Sequence, residues 1–308
     1  MATPRSQLVD GQTPLHYHIV SRCVRRSWLC DRDRYSGKDY NHRKVWLKSR
    51  LFHLAKYFAI EVEAFAIMSN HFHLVLYYDP LACDSWSDEE VARRWTAAFP
   101  PRVPDNDPTG LADQLQWQQQ ALLKSADRLH SARRCLGSLS AFMKHLKQPI
   151  AWRANREDGC TGHFFEGRFY SGALLSENAV LAAMAYVDLN PVRAKIAQAI
   201  EQCRDSSIST RLKRLENTAE RLKQALVPLV SGIGKATARL SMSLADYVDH
   251  LRLLIPSKDF TQYSDSQSRW FARVATIKKR QRAYGQLDEL KNWNAQHRHK
   301  RLGAALPE

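Results

Sequence analysis

Two runs of alternating residues joined by a very short link constrain this 308-residue chain more than any other feature. Residues 60–67 and 70–78 both read as strands, and only a link around Met68-Ser69 separates them. A link that short lets two strands meet only as an antiparallel hairpin. Side chains alternate faces along a strand. Phe72, Leu74 and Leu76 therefore share one face, and His71, His73, Val75 and Tyr77 share the other. The apolar set can face helices, which leaves the two histidines on the open face of the sheet.

The flanking sequence supplies the helices. Residues 15–20 read as a first strand. Over residues 41–58 the apolar positions Leu47, Leu51, Leu54 and Phe58 recur at three- and four-residue spacing, which predicts an amphipathic helix. Residues 80–132 differ in character, with Pro100-Pro101, Pro104, Pro108 and a Gln-rich patch at 114–120. They read as an insertion, partly helical near 87–98 and again after Leu111. A helix follows from about Ser138 and should end or kink before Pro149. Residues 162–175 are aromatic and look extended. A further helix starts near Ser176, where Ser176-Glu177-Asn178 offers N-cap chemistry. The order predicts an α+β fold: an antiparallel sheet with helices packed on one face.

The composition shifts after Asp205, dividing the chain into residues 1–205 and a basic, helical region at 206–308. The second region carries 19 Lys and Arg against 9 Asp and Glu, so it holds +10 of the formal net charge of +15. Helical segments are expected at 211–226, at 244–254 and in one long stretch from Ser266 to about Trp293. Lys278-Lys279-Arg280 and Arg298-His299-Lys300-Arg301 are basic clusters. A chain this basic most often meets nucleic acid or an anionic membrane surface. There is no run of 18 or more apolar residues, so no membrane span is expected. The N-terminus lacks an apolar signal region, and a cytoplasmic location is expected. Six cysteines with no Cys-x-x-Cys pair argue against a zinc knuckle and against a disulfide scaffold.

Two imidazoles on one strand face form a ready clamp for a divalent metal. Taken alone, a His-x-His pair is more often an ordinary pair of strand residues. Metallohydrolases of the His-x-His-x-Asp-His kind need Asp at 75 and His at 76, where this chain has Val75 and Leu76. Histidine-triad hydrolases need His at 75. Downstream, Tyr186 and Asn190 are spaced to share one face of a helix. A tyrosine oxygen can break a phosphodiester while conserving the bond as a phosphotyrosine. A free phenol has a pKa of about 10, so it needs help, and a metal ion that polarises the phosphate supplies it. An amide on the tyrosine's own helix can complete the metal shell. Pro191 disfavours helical geometry at Asn190, so the helix is expected to end or kink there.

Three ordered motifs carry a family resemblance. They are Ser69-Asn70-His71-Phe72-His73-Leu74-Val75-Leu76, then Gly162-His163-Phe164-Phe165-Glu166-Gly167-Arg168-Phe169, then Ala185-Tyr186-Val187-Asp188-Leu189-Asn190-Pro191-Val192-Arg193-Ala194. Together they resemble the HUH single-tyrosine transposases, most closely the IS200-like and REP-associated branch, over roughly residues 12–205. The resemblance implies a ferredoxin-like sheet with the histidines on a central strand. It implies His71 and His73 as metal ligands, Asn190 in place of a third ligand that is Gln in some members, and Tyr186 as nucleophile. The implied cofactor is Mg²⁺ or Mn²⁺. The implied partner is single-stranded DNA carrying REP-like or element-end hairpins, bound by a monomer or homodimer associated with the nucleoid. The implied activity is that of a single-stranded DNA endonuclease and strand transferase. Replication initiators share this chemistry but often carry two tyrosines in one helix, and Tyr186 is the only tyrosine between Ser171 and Asp246. A DNA-binding protein without transposition chemistry is the alternative.

Arg22, Arg25, Arg26, Arg168, Arg193, Lys278, Lys279 and Arg280 are the candidate DNA contacts. Arg168 lies among Phe164, Phe165, Phe169 and Tyr170, a mixture suited to gripping backbone and stacking bases. Such aromatics also serve as ordinary core. Tyr17, between His16 and His18, and Tyr170, which lacks an amide four residues on, rank below Tyr186 as nucleophiles. His16 and His18 read as sheet residues near the site.

Overall fold

The structure is a computed structural model and describes residues 8–24, 29–33, 37–101, 108–215, 222–234, 239–255, 264–297 and 303–307. Strand β1 (Leu15–Arg22) leads into helix α1 (His42–Ala55), then strands β2 (Ile60–Ile67) and β3 (His71–Tyr78). Helices α2 (Asp88–Ala98), α3 (Pro108–Leu123) and α4 (Ala126–Leu136) fill the stretch read as an insertion. Helix α5 (Leu139–Asp158) and strand β4 (Tyr170–Leu174) complete a βαββαβ plan with the order β2-β3-β1-β4, every neighbour antiparallel. That order is the ferredoxin-like arrangement, and the expected α+β class holds.

One face of the sheet behaves as the strand alternation dictates. Phe72, Leu74, Leu76 and Tyr78 join Phe65, Ile67, Tyr17 and Ile19 in a core closed by Leu47, Leu51 and Leu54 of α1 and Phe142, Leu146 and Ile150 of α5. The other face differs from expectation. It is covered, not open, because helix α6 (Glu177–Asp188) lies across it. The reason is side-chain size. Ala64, Ala66 and Val75 present a shallow surface, and Ala179, Ala182, Ala183 and Ala185 let the helix come close. Helices thus flank both faces of the sheet, one more layer than the sequence order suggested.

Helix α5 does not end at Pro149; it continues to Asp158, closed by Gly159 at φ 62°. A helix-interior proline strands the carbonyl four residues earlier. Here that carbonyl, on His145, accepts a hydrogen bond from Arg50 Nε at 3.3 Å. A partner distant in sequence thus relieves the local defect. The break expected at Asn190 does occur. Helix α6 stops at Asp188, and a short helix α7 (Asn190–Arg193) restarts with Pro191 in its first turn.

The chain beyond Asp205 is helical and also extends the sheet. Helix α8 (Ser207–Leu215) precedes β5 (Val230–Ser231), which pairs with β2. Helices α9 (Leu244–Leu253) and α10 (Asp265–Ile277) follow. The long helix expected from Ser266 is interrupted by β6 (Ala283–Gly285) before helix α11 (Leu287–His297). Strand β6 pairs in parallel with the exposed edge of β4, and β7 (Ala304–Ala305) pairs with β6. All six cysteines are unpaired. Among the described residues no helix is long and apolar enough to cross a membrane.

Candidate active site

Strand register assembles the site. Arg22 of β1 stands opposite His71, Val20 opposite His73 and His18 opposite Val75. On the other side of β1, Val20 pairs with Tyr170 and His18 with Gly172. Directly opposed residues share a face. The face beneath α6 therefore carries Arg22, His18, His71, His73 and Tyr170 together.

Tyr186 completes it from above. From Ala179 to Asp188 it is the one side chain that is not buried. Its ring meets His73 edge-on at 5.7 Å and His18 at 5.8 Å between centroids. The Arg193 guanidinium sits over the same ring, 4.8 Å from its centroid. Asn190 is tied to the same residue, its Nδ2 donating to the Tyr186 carbonyl oxygen at 3.2 Å. Oδ1 is thus the Asn190 atom left for a ligand role.

The histidines are poised as neutral bases. Burial first, then the charges of Arg22 and Arg280, lowers His71 to about 4. Burial lowers His18 to about 3, with Arg280 adding to the effect. His73 is lowered well below the ordinary range by burial and by its histidine and arginine neighbours. His71 Nδ1 lies 2.7 Å from Asn70 Oδ1, an acceptor, so Nδ1 carries the hydrogen and Nε2 keeps its lone pair. His73 Nδ1 and His18 Nε2 share a hydrogen bond of 3.0 Å in a fully buried setting. If His73 donates, its Nε2 is free as a ligand, and His18 acts as the outer group that fixes its tautomer. His18 Nδ1 is then a buried group without a partner.

These donors fit a small divalent cation of modest nitrogen demand. Among the described residues, no group of three or more His, Cys, Asp or Glu side chains is placed to hold a metal ion. A shell built here would be two imidazoles completed by oxygens from the Asn190 amide, the substrate and water, the kind of mixed shell that suits Mn²⁺ or Mg²⁺.

The two other candidate tyrosines are occupied. The Tyr170 hydroxyl donates to the Gln281 carbonyl and lies 2.9 Å from the Tyr284 hydroxyl. Burial and Tyr284 hold its pKa well above the usual range. Tyr17 faces the opposite core, fully buried, and accepts from the Asp10 N–H at 2.8 Å.

The basic candidates divide. Arg22 borders His71, and its buried Nε has no hydrogen-bond partner. Arg280 is exposed in the turn after α10, with a left-handed φ of 49°. Lys278 and Lys279 are exposed beside it, and Arg168 is exposed between α5 and β4. Arg25, Arg26 and the cluster at 298–301 lie outside the described residues, apart from what their sequence suggests. The residue that sequence reasoning undervalued is His18. Its alternation with His16 was visible, but its bond to His73 depends on the diagonal register of two strands far apart in sequence.

Asp188 is a second such residue. It is fully buried at the end of α6 and accepts hydrogen bonds from the Ile208 N–H at 2.8 Å, the Tyr247 hydroxyl at 2.7 Å and the Ser207 hydroxyl. It fastens the tyrosine helix to α8 and α9. Burial raises its pKa.

No protein-family model matches the chain, and no curated protein matches it. One solved structure is similar, "Structure of the REP associates tyrosine transposase bound to a REP hairpin". The identity is 12%, the alignment covers 70% of this chain and 87% of that one, and the TM-score is 0.40.

Proposed function

We propose that the protein is a metal-dependent single-stranded DNA endonuclease and strand transferase, a transposase that cuts beside DNA hairpins through a 5′-phosphotyrosine. The observation that carries this reading is Tyr186: the one side chain not fully buried in a run of buried helix, with its ring against His73 and His18. The three sequence motifs and the basic charge point the same way.

His71 and His73, with the Asn190 oxygen, would hold Mg²⁺ or Mn²⁺. When bound, such an ion polarises the scissile phosphate and offsets its developing charge. Arg193, over the Tyr186 ring, and Arg22, opposite His71, offer positive charge beside the site. The Tyr186 phenol gives up its proton to solvent and its oxygen attacks phosphorus. The bond from phosphorus to the 3′ oxygen breaks. That oxygen takes up a proton and leaves as a 3′-hydroxyl, while the 5′-phosphate stays on Tyr186. A second 3′-hydroxyl reverses the step, displaces the tyrosine and rejoins the strand.

The test incubates the protein with end-labelled single-stranded DNA bearing hairpins from its gene's flanks, with Mn²⁺ or Mg²⁺. An adduct that survives denaturing electrophoresis is expected, and Tyr186→Phe should abolish it. Full cleavage by Tyr186→Phe would overturn the assignment. Tight binding without an adduct, for several hairpins and both metals, would favour a basic DNA-binding protein that regulates or shields such hairpins without cutting them.

A further inference from the structure

A second recess lies outside the tyrosine site. Helix α5 buries Phe142, Met143, Leu146, Ile150 and Ala154, and turns Lys144, Lys147, Gln148 and Trp152 away from that stripe. Opposite them runs the strap of residues 162–169. Between helix and strap is a cleft of about 580 Å³. Its floor is the buried rings of Phe164, Phe165 and Phe169, and Trp152 stands at its rim, 66% exposed. Lys144, Lys147 and Arg168 line it, and among the described residues no carboxylate does. The Lys147 ammonium lies 5.1 Å from the Phe165 ring centroid.

The strap is bonded to the strand end that carries the tyrosine site. The Glu166 N–H donates to the Arg22 carbonyl at 2.8 Å, Phe165 bridges Cys23, and Arg22 stands opposite His71. The cleft opens on the α1–α5 side of the sheet and the tyrosine on the α6 side. One strand rounding the sheet end at Arg22 would meet both.

We propose that this cleft takes one unstacked nucleobase of the single strand that leads to Tyr186, and so helps to set where the cut falls; this rests on the DNA reading above. The chemistry favours that occupant. A flat, π-faced ligand stacks on Trp152 and the phenylalanine rings, Gln148 offers a donor and an acceptor to a base edge, and the cations neutralise the flanking phosphates. The volume falls within the range of small-ligand pockets. A duplex cannot present a base face sideways.

The experiment measures fluorescence anisotropy of a labelled gene-flank hairpin carrying a single-stranded arm of about 12 nucleotides, within the span such proteins cover. An abasic site is moved along the arm. One position should lower affinity about fivefold to tenfold, the scale of one base–aromatic stack. Trp152→Ala, an exposed position, should weaken the intact probe by the same factor and erase the penalty at that position, with an unchanged melting temperature. Gln148→Ala should alter which base is preferred there. A flat abasic scan, or wild-type binding by Trp152→Ala, would overturn the proposal even if the Tyr186 adduct forms. A Trp152-dependent position without any adduct would leave the proposal standing and remove the cleavage reading. Failure to bind the probe at all would remove both.

Discussion

Asp188 ends the tyrosine helix with a buried carboxyl group that collects three hydrogen bonds from two separate helices, and nothing in its local sequence announces that role. Removing the acceptor leaves the Ile208 N–H and the Tyr247 hydroxyl unpaired in a dry environment. Each such orphan costs about 1–3 kcal/mol. Asp188→Ala should therefore lower unfolding free energy by about 3 kcal/mol, and Asp188→Asn, which keeps an acceptor oxygen, by less. Urea denaturation of both variants checks this, and equal small losses would refute the anchoring role. The neighbouring Tyr186 differs in kind. It is the one position of its stretch that packing leaves partly open, while its ring stays held between His73, His18 and Arg193.

Elements behave according to how local their determinants are. Ser176 and Ser138 were legible as helix starts because an N-cap is a short-range bond, and both side chains accept from the N–H three residues on. Pro149 was misleading because its cost is set by whether the freed carbonyl finds a partner, and Arg50 comes from another helix. The helix expected over Ser266 to Trp293 breaks because β4 offers an unpaired edge that Tyr284 and its neighbours fill. That join is tight at Gly172. A Cβ there would stand 2.9 Å from the Gln281 carbonyl oxygen and 2.9 Å from Tyr284 Cε2, too close for a backbone group to yield. Gly172→Ala should destabilise by about 1–3 kcal/mol. Chemical denaturation is the check, and a neutral substitution would show that β6 is loosely docked.

Charge acts at the scale of the whole molecule. The net +15 is spread so that the 206–308 region carries most of it, yet its chain returns to the sheet and places Arg280 near the histidine face, with exposed Lys278 and Lys279 next to it in the chain. Hairpin binding should weaken steeply between about 50 mM and about 200 mM salt, by counterion release. Replacing Lys278 and Lys279 together by alanine should reduce the slope of log affinity against log salt by about 1.5, the value for two phosphate contacts. Anisotropy titrations at several salt concentrations read that slope, and an unchanged slope would place these lysines away from the DNA.

The sequence by itself determined the first three strands, which of their residues share a face, and the break at Pro191, because alternation, capping and proline geometry act over a few residues. Only the tertiary structure decided that α6 covers the histidine face, that His18 bonds His73, that the C-terminal chain extends the sheet and that a cationic, aromatic cleft opens beside α5. The first three depend on surfaces meeting across more than 50 residues of chain, and the cleft on a helix and a strap brought together by the sheet end, where side-chain size and unpaired strand edges, not local pattern, select the partner.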